Sequence, residues 1–93
     1  PWLWRGEITA GNAREFWRAT LPELRALCPG RKELTVDLSE LRFIDSSGAG
    51  VLVRAKKEAA QLGVHLRFDP VHPNVQNVIR LLQLERFLSD RIA

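Results

Sequence analysis

A serine hydroxyl, a carboxylate and two glycines stand together in Asp45-Ser46-Ser47-Gly48-Ala49-Gly50. Several chemistries could use them. Ser46 beside Asp45, with His65 further along the chain, has the residue types of a hydrolase triad. A nucleophile elbow needs Gly-x-Ser-x-Gly, and no glycine precedes Ser46 by two positions, so the sharp strained turn is not specified. Gly48-Ala49-Gly50 at a helix start, followed about 20 residues later by Asp69, offers part of a dinucleotide fingerprint. Val53 occupies the third glycine position, and a strand ending at Leu38 would lie too far upstream for a tight strand-to-helix turn. Cys28, His65 and His72 fall into no metal-ligand spacing such as H-E-x-x-H or C-x-x-C. His65 reads as a residue on the polar face of a strand and His72 as a helix cap.

What remains is a short hydroxyl at the start of a helix. Free N–H groups and the positive end of the helix dipole tolerate added negative charge there. A phosphate on Ser46 would change the local charge by about −1.5 to −2 without melting the helix. The alternative is that Asp45, Ser46 and Ser47 only cap it. Residue types alone leave both open.

The elements that must position this junction follow from periodicity. Trp2, Leu3, Trp4 and Arg5 alternate, which puts both indoles on one face of a short strand ended by Gly6, where packing is the favoured role over a ligand platform. Asn12 as N-cap with Glu15 three residues later predicts a capping box, and Ala13, Phe16, Trp17, Thr20, Leu24 and Leu27 recur at helical spacing. Pro22 is expected to kink or restart that helix, and Cys28-Pro29-Gly30 to stop it. Leu34 to Leu38 alternates as a strand, and Phe43 and Ile44 lead into the junction. Gly48, Leu52, Ala55, Ala59 and Leu62 make an inward stripe, with Arg54, Lys57, Glu58 and Gln61 outward, so a helix spans about 47 to 62 with Gly63 as its stop. Val64 to Phe68 is a further strand broken at Asp69-Pro70. Pro73 opens a last helix carrying Val75, Val78, Ile79 and Leu82 inward, and Leu84, Phe87 and Leu88 continue the apolar cover. Strands alternating with helices, each strand having one aliphatic face, predict an α/β fold with parallel neighbours and helices mainly on one face.

Composition narrows the function classes. The 93 residues are 45% hydrophobic and 27% charged, an ordinary globular balance for one domain. No apolar run approaches the ~20 residues of a membrane span, so direct membrane insertion is not expected. A single cysteine forms no intrachain disulfide and suits a reducing, cytoplasmic setting. The net charge of +3 comes from Arg and Lys spread along the chain rather than gathered in a block, which disfavours nucleic-acid binding. Neither a cofactor motif nor an internal repeat is present. The chain lacks Met and begins with Pro1-Trp2-Leu3-Trp4, which reads as the middle of a strand and as a piece, natural or trimmed, of a longer polypeptide.

Leu38-Ser39-Glu40-Leu41-Arg42-Phe43-Ile44-Asp45-Ser46-Ser47-Gly48-Ala49-Gly50-Val51-Leu52 resembles the signature of STAS domains, the sulfate transporter and anti-sigma factor antagonist family. Gly6-Glu7-Ile8 is similar to the Gly-Glu-Leu ending the family's second strand, and Pro73 with its Val-rich helix resembles the third helix. The resemblance covers nearly the whole chain. It implies one STAS-like domain over residues 1–93, lacking the family's first strand, with a small mixed, mainly parallel sheet and no catalysis of its own. In the anti-sigma factor antagonists the first Ser of the motif, here Ser46, is phosphorylated by a partner serine kinase and dephosphorylated by a phosphatase, which switches partner binding. Asp45, Ser47, Gly48, Ala49 and Val51 would form the docking patch. Thr9 stands where antagonists commonly have Asp, and His72 where Ser often precedes the helix proline. The resemblance also admits a STAS subunit or domain of a membrane transport system, docking on its ATPase without phosphorylation. A third implied possibility is a regulatory domain fused to an enzyme such as a glycosyltransferase. Oligomeric state is open.

Overall fold

The computed structural model describes residues 1–88. Its elements alternate as the periodicity predicts: β1 (Trp2–Ile8), α1 (Ala13–Leu27), β2 (Glu33–Ile44), α2 (Ser46–Gln61), β3 (His65–Val71), α3 (Pro73–Leu81) and a short α4 (Glu85–Leu88). The three described strands form one sheet in the order β1-β2-β3, and both pairings are parallel. Two successive crossovers stepping the same way across a sheet, each right-handed as such connections are, put their helices on one face. Accordingly α1 and α2 pack against each other, and α2 touches every other element. Ile8, Val36, Leu38, Leu41, Ile44, Leu52, Leu66 and Val75 are fully buried between sheet and helices. Thr35, Asp37, His65 and Arg67, at alternate strand positions, stay exposed or half-buried. Trp4 fills the core beneath α1, its ring edge-on to Trp2 at 5.4 Å, Phe16 at 5.1 Å and Phe68 at 5.9 Å, so the indole pair packs.

Four local expectations need correction. First, β2 does not end at Leu38 but runs to Ile44. Its buried positions step by two through Leu34, Val36 and Leu38, then by three to Leu41 and Ile44. Two register shifts against β1, around Arg5 and around Glu7, each place an extra residue in β2 and change which parity faces the core. A strand that changes parity twice loses the alternation by which strands are recognised.

Second, α1 does not restart at Pro22 but passes through it as one helix. A proline removes one backbone hydrogen bond, but Trp17, Thr20 and Leu24 remain buried on either side of it, and that packing holds the helix together. Third, Asn12 precedes α1 without a side-chain cap. Its amide turns back to the end of β1, accepting from Thr9 N at 2.8 Å and donating to the Glu7 carbonyl at 2.8 Å. Fourth, β3 continues through Asp69-Pro70 to Val71, the peptide bond between the two being cis. Its pairing with β2 slips between Phe68 and Val71, so Asp69 and Pro70 occupy a bulge on an outer strand, where a missing N–H leaves no ladder partner unsatisfied.

The helix ends follow expectation more closely. Gly63 takes φ +78° after α2, and His72 caps α3, its Nδ1 accepting from Asn74 N at 3.1 Å with Pro73 at the first helical position. Leu62 and Leu82, expected inward, are exposed because each sits past the last turn of its helix. Among the described residues no helix is long and apolar enough to cross a membrane.

Candidate functional site

The Asp45–Gly50 segment lies at the carboxyl end of β2, where the strand turns into α2 through one residue. That residue, Asp45, is extended and serves as the N-cap. Its two carboxylate oxygens do different work. Oδ1 accepts from Gly48 N at 3.0 Å, closing the first turn of α2, and Oδ2 accepts from Ala10 N at 2.9 Å in the turn between β1 and α1. One side chain thus joins two crossovers that are distant in sequence. The Ala10 N–H first, then that of Gly48, holds the Asp45 carboxyl below the usual carboxylate range.

The sign of the linkage follows. A carboxyl whose pKa is lower folded than unfolded stabilises the fold above its unfolded value near ~3.9 and loses that contribution as pH falls through the folded value. Asp45→Asn keeps an oxygen for Gly48 but offers no second carboxylate oxygen to Ala10. Its unfolding free energy is expected to fall less steeply than that of the unaltered chain on acidification below about pH 5. Parallel stability curves from urea unfolding between neutral and acid pH would show that Asp45 carries no such linkage.

Because Asp45 does the capping, Ser46 does not. Ser46 is the first residue of α2, is exposed, and its hydroxyl makes no hydrogen bond among the described residues. Ser47 is half-buried. Gly48 is required for contact: a Cβ there would collide with the Ile8 carbonyl oxygen and lie 2.8 Å from the Ile44 Cβ. Ala49 and Val51, only 1% and 3% exposed, belong to the core. Of the residues expected to form a docking patch, Gly48, Ala49 and Val51 therefore lie largely beneath the surface, because α2 turns this face onto the sheet. Asp45, Ser46, Ser47 and Gly50 are what the corner presents.

The same geometry corrects one ground for setting aside dinucleotide chemistry. With β2 reaching Ile44, the strand-to-helix turn is tight after all. The glycine that would admit a pyrophosphate is instead filled by the protein's own Ile8 carbonyl, and Asp69 pairs with Arg67 at 3.6 Å. His65 is exposed on β3 and His72 caps α3, away from any triad with Ser46. No group of three His, Cys, Asp or Glu side chains that could hold a metal converges among the described residues. Cys28 is buried behind α1, where desolvation pushes its thiol pKa up.

Beside the corner a shallow cleft of about 660 Å³ opens between α1 and α2, with Ser47, Gly50 and Val51 on one wall and Ala13, Trp17 and Leu21 on the other. Residue types did not announce this cleft. Gly50 opens onto it, with nothing within 4 Å of a Cβ position.

The sequence matches the protein family described as "Mlab, STAS domain" over residues 5–90, nearly its whole length. The chain belongs to the STAS family. A search of curated proteins gives no match. Three parallel strands with helices packed against them fit the STAS fold, and the Asp45-Ser46-Ser47-Gly48 corner lies within the matched residues. STAS membership makes this a regulatory or interaction module, of a family that generally has no catalytic activity and acts through protein–protein contact.

Proposed function

We propose that this STAS domain is a non-catalytic regulatory module whose contact with a protein partner is switched by phosphorylation of Ser46, as in the anti-sigma factor antagonists it resembles. The observation that carries the reading is the division of labour at the corner: Asp45 caps α2 through Oδ1 and ties down the Ala10 turn through Oδ2, which leaves the Ser46 hydroxyl exposed and without a hydrogen bond among the described residues. A serine kinase would supply the chemistry. The Ser46 oxygen bonds to the γ-phosphorus of ATP, the bond to the bridging oxygen breaks to release ADP, and the hydroxyl proton passes to a base of the kinase. The first-turn N–H groups and the helix dipole then face the new dianion.

The docking surface is proposed to be the rim of the corner, exposed Ser46 with half-buried Asp45, Ser47 and Gly50, supported from beneath by Gly48, Ala49 and Val51. The test is to incubate the domain with its candidate kinase and map the site by mass spectrometry. Modification confined to Ser46 and absent from Ser46→Ala is expected, whereas modification that persists in Ser46→Ala removes the reading. Ser46→Asp, carrying part of the charge of a phosphate, is expected to weaken the partner complex by roughly 1 to 3 kcal/mol. Equal binding by Ser46→Ala, Ser46→Asp and the unaltered domain would instead describe constitutive docking. That outcome suits a subunit or domain of a membrane transport system, or a regulatory domain within a larger enzyme.

A further inference from the structure

The cationic residues, which form no block in the sequence, gather in space. Arg14 and Arg18 lie one turn apart on α1 and face Arg54 on α2 across the cleft, with Trp17 between them. Toward the other end of the same two helices the lining continues through Arg25, Lys57 and Glu58. The two stretches together hold five cations and a single carboxylate, while the whole chain has a net charge of only +3. The one carboxylate, Glu58, is already engaged by Arg25 Nε at 3.1 Å. Arg54 stacks on the Trp17 ring at 5.1 Å, and neither it nor Arg14 nor Arg18 makes an ion pair among the described residues.

A groove between two neighbouring helices, with an apolar floor and cations one turn apart along its rim, has the complement of an amphipathic helix bearing carboxylates at the same spacing. A nucleic acid would need a ring face for its bases, and Trp17 is 9% exposed beneath Arg54. We infer that the α1–α2 cleft is a docking groove for an acidic helical segment of a protein partner. This deepens the reading of the domain as a partner-binding module and rests on it.

The groove also assigns a direction to the switch. Ser47 lines its mouth and Ser46 is the adjacent residue, so a phosphate on Ser46 adds about −1.5 to −2 charges beside the end of a positive groove. An acidic occupant is repelled, and the modified domain releases its partner.

The probe is a synthetic amphipathic peptide with glutamates four residues apart, titrated into the isotopically labelled domain. Shifts are expected at the Trp17 indole N–H, Ser47, Gly50 and Arg54, and binding is expected to weaken at least about tenfold on adding salt to several times the physiological level. The double reversal Arg14→Glu with Arg18→Glu, at two exposed positions, is expected to abolish those shifts while leaving the rest of the amide spectrum in place. Arg54→Gln provides a milder second variant with a smaller loss. Shifts centred elsewhere, affinity unchanged in the double reversal, or no binding would overturn the inference. So would anionic phospholipid vesicles outcompeting the peptide at the same residues. Peptide binding that ignores Ser46→Asp keeps the groove and removes the switch. Phosphorylation of Ser46 in a domain that does not bind the peptide keeps the switch and removes the groove.

Discussion

Gly48→Ala is expected to destabilise the domain by on the order of 3 kcal/mol, lowering Tm by roughly 12 to 24 °C for a chain of this size. The added methyl would meet the Ile8 carbonyl oxygen and the Ile44 side chain, and the carbonyl belongs to a strand end that cannot yield independently. Asp45 N donates to that same carbonyl at 3.4 Å, and Asp45 Oδ2 holds the following turn through Ala10. Pushing α2 away from Ile8 therefore disturbs the turn that flanks Ser46 as well. Gly50→Ala is the contrast within the same helix turn. Its Cβ meets nothing, and removing a glycine from a helix is worth about 0.5 to 1 kcal/mol of stabilisation. Thermal melts of the two variants read the difference directly. A Gly48→Ala domain as stable as Gly50→Ala would mean that α2 does not seat on β1 as described.

Ala49→Asp should cost about 3 to 5 kcal/mol, the penalty of a buried charge without a partner. Ala49 is 1% exposed and packed in the core with Ile44, Val51 and Leu52. This substitution separates two meanings of the motif. If Ala49 were part of a contact surface, the variant would keep its unfolding free energy to within about 0.5 kcal/mol and lose only its partner. Urea unfolding is expected to show the stability loss instead. The small residues of the Ser-Ser-Gly-Ala-Gly run then act mainly by letting a helix start lie close to a strand end, and the exposed hydroxyl is carried on that close-packed base.

Much of this was legible beforehand. The alternation of elements, the start of α2 within one residue, the glycine that ends it and the His72-Pro73 entry to α3 all follow from local chemistry whose cause is a few residues wide. What was missed depends on partners distant in the chain. The second half of β2 hides its strand character because two register shifts against β1 break the alternation from Leu38 to Ile44. Pro22 offered a point at which α1 would kink or restart, and the helix does not restart there because burial of Trp17 and Leu24 outweighs a single lost hydrogen bond. At the site, Ser46 could be singled out from its neighbours in the sequence, but the second bond of Asp45, which ties the corner to Ala10 35 residues away, could not. Nor could the burial of Ala49 and Val51, or the gathering of Arg14, Arg18 and Arg54, because both follow from how α1 and α2 lie across the sheet. The i, i+4 spacing of Arg14 and Arg18 on one helical face was the available signal for the last of these.

The bulge at Asp69-Pro70 bears on how the protein behaves in company with itself. An outer strand offers a row of free N–H and C=O groups on which another chain can template, the first step of ladder growth and fibril formation. On β3 that row is interrupted near its end by a residue with no N–H, a neighbouring carboxylate and a backbone displaced from regular pleating. A module that works by contact with a partner gains from an outer strand that makes a poor template, and among the described strands Pro70 gives β3 that colloidal protection.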